Sequence, residues 1–105
     1  MSYTNEQYLL AVQKDGWARE FVPNQTPEIC MAAVRQNGWA IGYVIDQTPE
    51  ICMEAVSQNG TMLRMIRAKN HTLEISLAAI RQDRNAFRYV ISKFMKECWA
   101  LLEKL

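Results

Sequence analysis

Gln25-Thr26-Pro27-Glu28-Ile29-Cys30-Met31 returns letter for letter as Gln47-Thr48-Pro49-Glu50-Ile51-Cys52-Met53. The match runs on through Ala33-Val34 and Gln36-Asn37-Gly38 to Ala55-Val56 and Gln58-Asn59-Gly60, so that 12 of 14 positions agree. Identity at a fixed period is the mark of a repeat architecture. Working outward, Thr4, Glu6 and Ala11-Val12 open an earlier copy, and Thr72, Glu74 and Ala79-Ile80 a later one. The spacing predicts four units of about 22 residues, near 4–25, 26–47, 48–71 and 72–105. Two extra residues in the third connection fall near Lys69-Asn70-His71, where a loop can absorb them.

Each unit reads as a helix pair. Threonine at 4, 26, 48 and 72 suits an N-cap, its hydroxyl accepting from an otherwise unpaired backbone N–H. Pro27 and Pro49 follow at the first helical position, where a missing N–H costs nothing, and Glu28 and Glu50 face the positive end of the helix dipole. Ile29, Cys30, Ala33 and Val34 recur at helical spacing as an apolar stripe. Gly38 and Gly60 suit the left-handed residue that closes a helix. First helices are expected near 5–14, 26–37, 48–59 and 72–84, and second helices from about 17, 39, 61 and 85. Trp17, Trp39, Phe21 and Tyr43 are expected to pack the second helix inward, and Ile29, Val34, Ile51, Val56, Leu77 and Ile80 to be buried. From Ala86 to Leu105 no glycine or proline interrupts an amphipathic pattern, which predicts one long C-terminal capping helix. The expected fold is all-α: a short α-solenoid of four helix-pair units forming one domain over residues 1–105.

Ala33-Val34-Arg35-Gln36-Asn37-Gly38-Trp39-Ala40, echoed at 11–18 and 55–60, resembles the tandem unit of a family known only as a domain of unknown function. That family is familiar from giant viruses, phages and intracellular bacteria. The resemblance spans roughly residues 4–90, implies a helical repeat scaffold, and transfers no catalytic residue. Thr61, Arg84-Asn85 and everything beyond residue 90 depart from the pattern.

Composition narrows the function. No apolar run approaches the roughly 20 residues that span a bilayer, and Met1 to Glu6 lacks the order of a signal peptide, so a cytoplasmic protein is expected. Three cysteines and one histidine make neither a disulfide framework nor a zinc set, and the thiols read as buried apolar groups. With no phosphate loop, dinucleotide fingerprint or nucleophile–base pair, the sequence argues against an enzyme and offers no catalytic, cofactor or metal residue. Gln36, Asn37, Gln58 and Asn59 could form a ladder that reads a ligand, but side chains that suit and solvate a helix end are the plainer account.

Charge is uneven. Residues 1–53 carry a net −3 and residues 54–105 a net +4. Arg64, Arg67, Lys69, Arg81, Arg84 and Arg88 form the first candidate partner surface, although most charge runs are only solvated faces. Arg81, Arg84 and Arg88 share a face if one helix runs through them. Met95 and Trp99 widen the apolar arc of the last helix and form the second candidate, for a protein partner or a homodimer contact. The expected activity is non-enzymatic binding of a protein with an acidic surface, as in a small viral or bacterial protein that blocks or redirects a host or defence complex. The alternative is nucleic-acid binding through the basic 64–88 patch, which the acidic first half disfavours.

Overall fold

A computed structural model describes residues 25–105 together with Gln7. The expected helix near 5–14, Trp17 and Phe21 lie outside the described residues. Within them the chain is helical throughout, with no strand.

Three ten-residue α-helices form where the threonine caps place them: α1 Pro27–Gln36, α2 Pro49–Gln58 and α3 Leu73–Gln82. Thr26, Thr48 and Thr72 are extended, and their hydroxyls accept from the backbone N–H of Ile29, Ile51 and Ile75 at 3.2, 3.3 and 3.1 Å. Each helix buries one stripe: Ile29, Cys30, Ala33 and Val34 in α1, with the equivalent residues in α2 and α3. Of the six residues expected in the core, five are buried. Leu77 is only half-buried, because it holds the flanking place of Met31 and Met53 and packs against the core from outside.

The second helices are not α-helices. They are six-residue 3-10 segments, η1 Gly38–Tyr43, η2 Gly60–Met65 and, after the short turn η3 Ala68–Asn70, η4 Arg84–Tyr89. Asn37, Asn59 and Asp83 break the preceding α-helix with φ near −153°. Each side-chain oxygen then accepts from the N–H two residues on, at 3.1, 3.0 and 2.9 Å, and so starts the tighter winding. Gly38, Ile41 and Val44 are buried at a spacing of three, as are Gly60, Leu63 and Ile66, which matches three residues per turn. Tyr43 falls off that line and is 51% exposed, contrary to expectation.

Among the described residues no glycine has positive φ, so Gly38 and Gly60 do not close their helices in the left-handed form. They make room. A Cβ on Gly60 would run into the carbonyl oxygen of Ala79, and one on Gly38 would come within 3.3 Å of Gln58 Oε1. Arg84 stands at the equivalent place with its side chain exposed.

The long capping helix is also corrected. Val90 and Ile91 are extended, η5 spans Ser92–Phe94, and only Met95–Leu102 forms a helix, α4. Val90 takes the buried, extended place of Val44 and Ile66 (ψ 131° against 123° and 129°). Burial of the β-branched Val90 there outweighs the uninterrupted amphipathic pattern. α4 packs on α3 and η4 and buries Cys98.

The α-helices pack in chain order, α1 on α2 on α3, and the 3-10 segments likewise, η1 on η2 on η4. Glutamines tie these contacts. Gln47 Nε2 donates to Ile41 O and Met65 O, both at 3.0 Å, while its Oε1 accepts from Arg67 N at 2.9 Å and Asn70 Nδ2 at 3.2 Å. Gln25 makes the equivalent pair of bonds to Tyr43 O and Ile45 N. At the helix ends Gln58 donates to Val34 O at 2.7 Å, and Gln82 to Gln58 O at 3.4 Å. Three of the four side chains of the suspected polar ladder thus have internal partners: Asn37 and Asn59 cap, and Gln58 links neighbouring helix ends, while Gln36 is exposed.

Candidate partner-binding surface

In η1 the buried residues are Gly38, Ala40 and Ile41, and Trp39 and Tyr43 lie off that face. Trp39, second in η1, is therefore 43% exposed rather than part of the core. Tyr43 at 51% and Ile45 at 75% extend the same exposed apolar row. Sequence reading missed both. The signal was present in the period-three spacing from Gly38 to Val44, which a search for helical one-and-four spacing passes over.

Arg64 is exposed on η2 and lies between two rings contributed by the neighbouring segments. Its guanidinium carbon is 5.8 Å from the Trp39 ring and 5.9 Å from the Tyr89 ring. Arg88 approaches the Tyr89 ring at 5.9 Å. These distances are those of cation–π contacts, which hold a guanidinium in place while leaving its N–H donors free. Among the described residues the one ion pair is Arg35–Glu54, at 3.3 Å, so no carboxylate is paired with Arg64 or Arg88.

The other predicted residues divide. Arg67 is exposed, but its Nη2 donates to Val44 O at 2.6 Å and also to Ile45 O, and so clamps the end of η1. Lys69 is exposed on η3. Arg81 ends α3, whereas Arg84 and Arg88 belong to η4, with the extended Asp83 between them. The single helix that would have aligned these three does not exist. Met95 at 42% and Trp99 at 54% are exposed one turn apart on α4, and the Trp99 ring meets Phe87 at 5.7 Å and 56°.

His71, in the connection between the third and fourth units, is buried, with Nε2 bonded to Ile66 O at 2.9 Å. The three thiols are buried. Burial pushes Cys52 up to about 11, against a small opposing pull from Arg67. Burial also raises Cys30 and Cys98, helped by the carboxylates of Asp46 and Glu97. A thiol whose pKa is raised on folding stabilises the fold below its unfolded value and loses that contribution as pH climbs through the folded one. Stability should therefore fall between about pH 9 and 11, and iodoacetamide at pH 8 should label native protein far more slowly than urea-unfolded protein. Equal labelling rates would show that the thiols are accessible.

Residues 6–48 match the family model described as Domain of unknown function (DUF4116). The match takes in α1 and η1 and stops at the cap of α2, short of the 4–90 span expected from the motif. No curated protein and no solved structure matches the chain. Among the described residues no helix is long and apolar enough to cross a membrane.

Proposed function

We propose that the chain is a non-enzymatic protein-interaction module, an α-solenoid of four helix-pair units. In this reading the α-helical row is scaffold, and the 3-10 row with the outer side of α4 is the binding face. The observation that carries it is Arg64, held between the exposed ring of Trp39 and the half-buried ring of Tyr89 with no carboxylate on it. Exposed aromatic and arginine side chains are the groups that dominate protein interfaces, and an unpaired, positioned guanidinium favours an acidic partner. The groups that could serve a nucleophile or base, His71 and the three cysteines, are buried in structural roles, which supports binding over catalysis. In the viral and bacterial settings of the family that the motif resembles, such a module would block or redirect a host or defence complex.

Nucleic acid is the second reading, favoured by cations interleaved with rings. It is weakened because the rings that flank Arg64 already have the guanidinium against them. Affinity capture with the full chain and with Arg64→Glu/Arg88→Glu separates the two. The double variant should keep its helicity and lose the captured protein, and wild-type capture should fade as salt rises past about 0.15 M. Undiminished capture by the variant removes this face from consideration. A mobility shift with RNA or DNA that the variant abolishes would make the partner a nucleic acid.

A further inference from the structure

The joint between η2 and η4 differs from the joint between η1 and η2 at four matched places. In the earlier joint Gly42 leaves space for Met65, whose Cε lies 2.5 Å from where a Cβ would be. Arg67 fills the remainder and donates to Val44 O and Ile45 O, while Gln47 accepts from Arg67 N at 2.9 Å. In the later joint the same places hold Arg64, Tyr89, Ile91 and His71. Ile91 has no guanidinium to offer, and His71 Nε2 takes over one bond, to Ile66 O at 2.9 Å. That turn of the ring leaves Nδ1 buried with no hydrogen-bond partner.

The exchange leaves a cleft of about 240 Å³ whose accessible apolar surface comes from the half-buried Ile91 and Tyr89, over the buried Leu63 and Ile66, with Arg64 exposed beside them. This volume suits one aromatic or large aliphatic side chain. The guanidinium at the cleft is already oriented by two rings and unpaired. We propose that this cleft receives an acidic peptide of a protein partner, seating an apolar side chain against Ile91 and Tyr89 with an adjoining carboxylate on Arg64. The apolar lining selects a carboxylate source over a phosphodiester, whose anion adjoins a polar sugar. The assignment deepens the interaction reading and rests on it only for the partner being a protein.

The probe is 3-phenylpropionate, titrated into the full chain and followed by NMR at Leu63, Tyr89 and Ile91. Saturable shifts are expected with a Kd on the order of 1–10 mM, as befits so small a ligand. Binding should weaken about tenfold for 3-phenylpropanol, which lacks the charge, and for Arg64→Gln. Ile91→Arg, which restores the side chain of the earlier joint, should fill the cleft and abolish the shifts. Spectral dispersion shows whether each variant is folded, and the alcohol arm needs no variant. The proposal is overturned by non-saturable shifts, by equal binding of acid and alcohol, or by uridine monophosphate binding these residues more tightly than the acid. Failure of the titration while the Arg64→Glu/Arg88→Glu result holds removes the cleft alone. The converse removes the wider face.

Discussion

Gly60→Ala is expected to destabilise the protein by roughly 3 kcal/mol, whereas Gly38→Ala should cost less than about 1 kcal/mol. In a backbone without positive φ, alanine ought to help, since it reduces the freedom of the unfolded chain by about 0.4–1 kcal/mol. The sign is reversed at Gly60 by what its Cβ would strike: the Ala79 carbonyl oxygen, with the Ala79 carbon at 3.0 Å and Asp83 N at 3.1 Å. These are backbone atoms. Ala79 O also accepts from Asp83 N at 2.9 Å, so a shift of either atom would disturb both the end of α3 and the cap of η4. At Gly38 the nearest atom is the end of the Gln58 side chain at 3.3 Å, which can move. Urea denaturation of both variants measures the difference. A Gly60→Ala midpoint at or above that of the parent would mean that α3 does not rest on this glycine.

Gln47→Ala should cost roughly 3 kcal/mol or more, a larger loss than Gln25→Ala. Gln47 is 3% exposed and uses both ends of its amide, each twice, on Ile41 O, Met65 O, Arg67 N and Asn70 Nδ2. Removing it takes a partner from all four, and although Ile41 O keeps the N–H of Val44 at 3.2 Å, each group left unsatisfied costs about 1–3 kcal/mol. Gln25 is only half-buried, so water can replace part of what its loss removes. Gln47→Leu keeps volume and should fare little better, because the stranded groups rather than a cavity set the cost. Thermal unfolding decides the matter. Loss of less than about 1 kcal/mol in both Gln47 variants would mean that the amide is not what ties η1 to η2.

The parts of this fold legible in the sequence are those governed by neighbours along the chain. Thr26, Thr48 and Thr72 cap their helices as read, and Ile29, Val34, Ile51, Val56 and Ile80 are buried as read. What escaped reading depends on contacts between one unit and the next. The asparagine or aspartate that ends each α-helix also starts a 3-10 segment, and this moved Trp39 and Tyr43 from the expected core to the surface. Gly38 and Gly60 were assigned to dihedral angle when the cause is the neighbouring unit. Gln25 and Gln47 carried no role in the sequence, though Gln25 binds the end of η1 and Gln47 spans η1 and η2.

The candidate surface follows the same division. Arg64 and Arg88 were legible as cations on a basic half, and both are exposed. That Arg64 would sit between Trp39 and Tyr89 was not legible, because one ring lies a unit before it and the other a unit after. Arg81 was grouped with Arg84 and Arg88 on a helix that Asp83 interrupts.

In the proposed binding mode the 3-10 row, and not the α-helical row, meets the partner. Hydrogen–deuterium exchange on the captured complex, compared with the free chain, tests it most directly. New protection is expected in 38–43, 60–65 and 84–89, with α1, α2 and α3 unchanged. Protection confined to the α-helices, with the 3-10 segments exchanging as in the free chain, would contradict it.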